Sequence, residues 1–282
     1  MTPMQEVVEV ADGVHLRVRG WPGGLRPPIL LVHGLSSNAM LWDEVAVALS
    51  AAGYPAYAVD LRSHGESDSP PDGYDTATAA DDLAALCAHL ALEPVIAVGQ
   101  SWGGNVVVRF AAKHPTAVTA LALVDGGWID LAADFDTWAD CERALRPPDV
   151  GGLRPDDLRQ RLRAGHPDWS EAAIEATVAN LRTTPDGRLE RRLPIPRHMN
   201  IVRSMWDDPP WRDYPAIAVP VLLVPAIPTD AEGADRRRVR VAKAAGALSA
   251  ARIKEYVGAD HDIHAQHPAE LAADLLTLAA ER

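Results

Sequence analysis

From Ile29 to Val124 the chain alternates apolar runs with helical periods, and this rhythm limits the fold more than any other feature of the sequence. Ile29-Leu30-Leu31-Val32 is an unbroken apolar run that ends in His33-Gly34, the pattern of a parallel strand covered on both faces. Residues 39 to 51 then follow a helical period, and Tyr57 to Val59 read as a strand. Residues 77 to 91 read as a helix and Val95 to Val98 as a strand. Residues 102 to 113 read as a helix that ends before Pro115, and Val118 to Val124 as the next strand. These lengths suit right-handed crossovers. The predicted fold is therefore α/β: a mostly parallel sheet of about eight strands flanked by helices. A hairpin precedes it, with Val7 to Val10 and His15 to Arg19 joined at Asp12-Gly13.

The rhythm breaks between Asp125 and Tyr214, where short helical stretches rich in arginine and tryptophan are separated by Pro and Gly. It resumes with a strand at Val219 to Val224, a helix near Arg236 to Leu248, a strand at Arg252 to Val257 and a final helix from about Pro268. A core domain of residues 1–125 and 215–282, interrupted by a helical insertion of residues 126–214, accounts for this pattern. With 282 residues, 48% of them hydrophobic, the chain can bury one large core.

Charge narrows the partners. The formal net charge is −12, which repels phosphate backbones and anionic membranes, so neither nucleic acid nor a membrane is expected as a partner. Cys87 and Cys141 lie in no C-x-x-C pair and near no histidine at ligand spacing, so no metal is expected. No G-x-G-x-x-G follows an early strand, and no cofactor is expected. The first ten residues lack a basic start and an apolar run, and no window reaches membrane-spanning length, so the expectation is a cytoplasmic monomer or homodimer acting on a small molecule.

The motif with chemical content is Gly99-Gln100-Ser101-Trp102-Gly103, a G-x-S-x-G sequence lying between a buried-type strand and a helix. A turn that tight forces the serine into a strained conformation, and small residues on either side let neighbouring chains approach. Ser101 then stands at a helix N-terminus, where free N–H groups favour a developing anion. A serine needs a base to become a nucleophile. Among ten histidines, His261 in Gly258-Ala259-Asp260-His261-Asp262 follows the last predicted strand, and so falls on the carboxyl edge of the sheet with Ser101. His264 and His267 are nearby, but His267-Pro268 reads as a helix entry and His264 as structural. The turn after His33-Gly34 can offer a main-chain donor, so the N–H groups of Leu35 and Trp102 are the expected oxyanion donors. His33 itself is expected to order the loop.

Taken together, these stretches resemble the α/β-hydrolase superfamily over nearly the whole chain. Leu31-Val32-His33-Gly34 resembles its oxyanion strand and Gly99 to Gly103 its nucleophile elbow. Gly258 to His267 resembles its histidine loop. Asp60-Leu61-Arg62-Ser63-His64-Gly65-Glu66-Ser67 resembles its D-x-R-G-H-G-x-S loop, with Ser63 where glycine is usual. The resemblance implies loop-ordering roles for Asp60, Arg62 and His64, and a catalytic triad of Ser101, His261 and an acid. Two aspartates stand where family members place that acid. Asp230 follows Pro225-Ala226-Ile227-Pro228-Thr229, a turn that lacks the usual glycine and sets the aspartate one position late. Asp125, in Leu123-Val124-Asp125-Gly126-Gly127, ends the strand after the nucleophile helix. Asp125 is preferred and Asp230 is the alternative.

The resemblance also implies that residues 126–214 form a helical cap. Five of the eight tryptophans fall there, Trp128, Trp138, Trp169, Trp206 and Trp211, and Trp128 is the candidate for a wall of the substrate pocket. The arginines from Arg154 to Arg163 have acidic neighbours at helical spacing and read as a solvated face. The expected activity is that of a serine esterase or lactonase on a medium-sized hydrophobic substrate. Alternatives on the same fold are C–C, thioester or amide hydrolysis, perhydrolysis, acyl transfer or cyclisation, and non-catalytic binding of a small ligand. Epoxide hydrolases and haloalkane dehalogenases share Trp-Gly-Gly after the nucleophile but use aspartate where this chain has Ser101.

Overall fold

The computed structural model describes residues 1–281. Eight strands form one sheet in the order Met4–Ala11, Val14–Trp21, Ala56–Val59, Ile29–Val32, Val95–Gln100, Val118–Val124, Val221–Val224 and Ala251–Ile253. The first two pair antiparallel, and Val14–Trp21 is antiparallel to Ala56–Val59. Every other pairing is parallel.

Alternation along the central strands explains why these runs are apolar throughout. Side chains of neighbouring residues point to opposite faces. Leu30, Val32, Ala97, Leu121 and Leu123 pack with Leu83 and Leu86 of helix Thr76–His89 and with Val106 and Phe110 of helix Trp102–Lys113. Ile29, Leu31, Ile96, Val98, Ala122 and Val124 pack on the other face with Val45 and Leu49 of helix Asp43–Ala51 and with Leu271 and Leu275 of helix Pro268–Ala279. Each fully buried aliphatic side chain contributes on the order of 2 kcal/mol. The sheet is thus held from both sides, and its carboxyl edge is a rigid base for loops.

Two stretches depart from the sequence expectation. Arg252 to Val257 is not one strand. Pro225 ends the ladder of Val221–Val224 because it has no N–H to donate, and the chain continues as Ala226–Ile227, which pairs with Tyr256–Val257 in a separate two-stranded sheet. The helix expected near Arg236 begins earlier and spans Ala231–Ala247, because Asp230 caps it: the carboxylate accepts from the Gly233 N–H at 2.7 Å.

Between the strands Val118–Val124 and Val221–Val224 lie the helices Leu131–Asp134, Trp138–Leu145, Pro155–Gly165, Glu171–Val178 and Ile195–Asp207. A hairpin of Leu181–Thr183 and Leu189–Arg191 interrupts them. Helix Pro155–Gly165 buries no side chain, and its Arg159 and Arg163 reach Glu175 and Glu171, as a solvated face requires. Several polar contacts join this excursion to the carboxyl-edge loops. His198 Nδ1 lies 2.9 Å from Ser36 Oγ, Asn38 Nδ2 donates to the Ala176 carbonyl at 2.6 Å, and His166 Nδ1 lies 2.8 Å from Asp260 Oδ2. Leu41, Trp169, Ile174 and Ala265 add an apolar cluster. Among the described residues, no helix is long and apolar enough to cross a membrane.

Candidate active site

Ser101 sits where the strand Val95–Gln100 turns into the helix Trp102–Lys113, with φ +53° and ψ −124°. That conformation is sparsely populated for a residue with a Cβ and is held by its surroundings. The Ser101 N–H donates to the Val124 carbonyl at 2.9 Å, and its own carbonyl accepts from the Gly104 N–H at 2.9 Å. Close approach of backbones explains the flanking glycines: a Cβ at Gly103 would lie 2.5 Å from the carbonyl oxygens of Val32 and His33, and one at Gly126 would lie 2.1 Å from the Ser101 carbonyl oxygen. Trp102 opens the helix, so its N–H has no intrahelical acceptor and faces the same end as Ser101.

The loop after Ile29–Val32 runs alongside. A Cβ at Gly34 would stand 2.8 Å from Ser101 Cβ. Two buried histidines order this loop, as expected. His33 Nδ1 donates to the Gly34 carbonyl at 2.7 Å while its Nε2 accepts from the Leu61 N–H at 3.1 Å. His64 Nδ1 donates to the Arg62 carbonyl at 2.8 Å while its Nε2 accepts from the Ser36 N–H at 3.1 Å. Each needs one ring nitrogen bare, so both are neutral. Burial pushes His33 down to about 4 and His64 well below the ordinary imidazole value. Asp60 accepts from the N–H groups of Ala39 and Glu66, and Arg62 pairs with buried Asp82 at 2.6 Å. Ser63, which replaces the usual glycine, adopts φ +61°. Its hydroxyl bonds Tyr74 Oη at 2.9 Å and accepts from Arg197 at 3.2 Å, which ties this loop to the helix Ile195–Asp207.

His261 and Asp125 are brought together from either side of the interruption. Nδ1 of His261 lies 2.6 Å from Oδ2 of Asp125. Asp125 also has a left-handed backbone, φ +40°, and is 2% exposed. Its other oxygen accepts from the Ala226 N–H at 3.1 Å and from Arg237 Nη1. The His261 imidazole is about half exposed. Partial desolvation is the largest single influence and pulls its basicity down, but the hydrogen bond and charge of Asp125, with the charge of Asp262, outweigh it. The net shift is upward, with Arg237 opposing. Asp230, the alternative acid, is exposed and occupied as a helix cap.

Gln100, which the motif reading passed over, links three of these segments. It is 1% exposed, and its Nε2 donates to the His261 carbonyl and to Asp262 Oδ1, both at 3.2 Å. Its Oε1 lies 2.3 Å from where a Gly34 Cβ would stand. Its place beside the nucleophile, on a strand end facing the histidine loop, is the sequence signal that could have found it.

The Trp102 side chain is buried, its Nε1 donating to Thr76 Oγ1 at 3.1 Å, so what it can offer the site is its backbone N–H. Leu35 is partly buried and packs on the larger core. Trp128 borders a groove of about 870 Å³ with Trp211, Tyr214 and Val239, a lining that includes neither Ser101 nor His261. His264 is fully buried against Trp42, ring centroids 4.4 Å apart, with no protein partner for either nitrogen. Burial pushes it down to about 3. Among the described residues, no group of three or more His, Cys, Asp or Glu side chains is placed to hold a metal ion.

A strained serine at a strand-to-helix turn and a histidine paired to a buried aspartate, all on the carboxyl edge of a parallel sheet, define a hydrolase-type scaffold. The sequence model of the alpha/beta hydrolase fold family matches residues 27–268, and the chain belongs to that family. It is 36% identical to the non-heme haloperoxidase of Rhodococcus erythropolis over 119 residues, which cover 42% of this chain and 43% of that one, less than half of either. Over 284 aligned residues it is 27% identical to the non-heme chloroperoxidase of Streptomyces lividans, covering 95% and 97% of the two chains. The crystal structure of E-2-(acetamidomethylene)succinate hydrolase superposes with a TM-score of 0.79 at 24% identity, covering 98% of each chain, which shows the shared fold.

Proposed function

We propose that this chain is a serine hydrolase that cleaves a carboxylic ester or lactone of a medium-sized hydrophobic substrate through an acyl-enzyme. The observation that carries the reading is the 2.6 Å contact between His261 Nδ1 and buried Asp125 Oδ2. It leaves Nε2 as the bare nitrogen of a neutral imidazole on the edge where Ser101 stands. In this reading Nε2 takes the Ser101 hydroxyl proton as Oγ attacks the carbonyl carbon, and the N–H groups of Leu35 and Trp102 receive the developing oxyanion. The imidazolium returns the proton to the leaving alkoxide, and water, activated by the same base, then releases the acid and regenerates Ser101.

Residues 126–214 serve in this reading as the cap. Their ties to Ser36 and Asn38 on one side and to Asp260 on the other support it, since these loops flank Ser101. Perhydrolysis is the second reading, favoured by the full-length similarity to a non-heme chloroperoxidase. Hydrogen peroxide would replace water at the acyl-enzyme and leave as a peracid.

The test is turnover of p-nitrophenyl esters and lactones of graded size by purified protein, with peracid assayed when acetate and hydrogen peroxide are supplied. Ester or lactone cleavage lost in both Ser101→Ala and His261→Ala supports the reading. Wild-type turnover that survives both substitutions contradicts it.

A further inference from the structure

We infer that Arg237 is a positioning residue of this site: it holds one carboxylate oxygen of Asp125 while His261 holds the other, so its charge sets how strongly Asp125 favours the protonated imidazole. The inference rests on the reading above, in which His261 is the base.

Asp125 ends the strand Val118–Val124, buried to 2% exposure, and its two oxygens are divided. Oδ2 faces His261 at 2.6 Å, and Oδ1 takes the Ala226 N–H at 3.1 Å and Arg237 Nη1. Arg237 comes from helix Ala231–Ala247, a separate element whose other arginines pair elsewhere: Arg236 with Glu232, Arg238 with Glu255 and Arg240 with Asp134. Arg237 is about one-third exposed and reaches inward. A guanidinium on the far oxygen fixes the plane of the carboxylate, which in turn fixes the ring that it orients.

The electrostatic role follows from what else faces His261. Asp125 approaches from the strand end. Asp260 and Asp262 lie on its own loop, Asp260 engaged by His166 and Asp262 by Gln100. His264 lies on the short helix Ile263–Gln266, buried and neutral. Arg237 is the cation among them. Without it, the imidazole would face carboxylates uncompensated, hold its proton to higher pH and be a base for less of the working range.

The experiment is an NMR titration of the His261 ring in the wild-type chain, Arg237→Gln and Arg237→Lys, paired with the pH dependence of kcat/KM. Arg237→Gln is expected to raise the His261 titration midpoint and the acid limb of the rate profile together, by about half to one pH unit. Arg237→Lys, which keeps the charge, should recover at least half of that shift. An unchanged or lower midpoint in Arg237→Gln overturns the inference, as does an equal shift in both variants. Arg237→Met makes the same comparison should the glutamine chain not fold. Ester turnover with an unmoved midpoint would sink the role of Arg237 and leave the hydrolase reading standing. A moved midpoint in a chain whose Ser101 takes up no fluorophosphonate would do the reverse.

Discussion

Nδ1 of His261 lies 2.6 Å from Oδ2 of Asp125, two residues far apart in the chain that meet because the strand ending at Val124 and the loop after Tyr256–Val257 share one edge of the sheet. Asp230, on the helix that follows the neighbouring strand, spends its carboxylate on the Gly233 N–H. The two acids are therefore separable by substitution. Asp125→Asn keeps the shape but presents His261 with the wrong hydrogen-bond partner, and should lower kcat by about 10³- to 10⁴-fold. Asp230→Asn retains a good cap and should stay near wild-type turnover. Steady-state kinetics on one activated ester decides between them, and the opposite pattern would move the acid to Asp230.

Gln100 yields a second expectation. Its amide joins the nucleophile strand to the carbonyl of His261 and the carboxylate of Asp262. Burial pushes the Asp262 carboxyl up, so the donated hydrogen bond matters to the loop. Gln100→Leu fills similar space without donating. It should lower kcat about ten-fold, equivalent to about 1.4 kcal/mol, with little change in KM, because the histidine loop loses its tether while the substrate pocket does not. Unaltered kcat in a folded Gln100→Leu protein would mean that the loop is held by other contacts.

The buried histidines predict how stability depends on pH. His33, His64 and His264 are all depressed in the folded chain. As pH falls below about 6.5, the unfolded chain takes up protons that the folded chain refuses, so each removes about 1.4 kcal/mol per pH unit until its folded value is reached. His261 has the opposite sign: its raised value adds stability that is full below the unfolded value and lost as pH rises through the folded one. Burial depresses His198 as well, so four against one leaves a net loss on acidification. Urea unfolding between about pH 7 and pH 5 should show it, and His264→Phe, which keeps a ring against Trp42 and removes two nitrogens without protein partners, should flatten the slope. An unchanged slope in His264→Phe would show that His264 is protonated in the folded chain.

Strand runs and the elbow were legible in the sequence for a physical reason: a strand covered on both faces must be apolar at every position, and a serine in a left-handed turn must be flanked by glycines. Ile29–Val32, Val95–Gln100 and Ser101 show both. His261 was legible because its loop follows the last strands. The choice between Asp125 and Asp230 was not settled by sequence, since both follow strands of the same sheet, and what separates them is the cap bond that Asp230 makes with Gly233. Arg237 was illegible among the four arginines from Arg236 to Arg240 for a similar reason. Helical spacing says which side a residue lies on, but not that a buried carboxylate from another element waits there. Trp128 was placed by its closeness to Asp125 in sequence, and in the fold it borders a groove with Trp211, Tyr214 and Val239.

Labelling with a fluorophosphonate, followed by peptide mass spectrometry, tests the central claim most directly. With Ser101 Oγ as the proposed nucleophile and His261 as its proposed base, the wild-type chain should take up one equivalent of probe on the peptide containing Ser101, Ser101→Ala should take up none, and His261→Ala should be slowed by at least about 10³-fold. Folded wild-type protein that remains unlabelled, or carries the probe on another residue, would contradict the account.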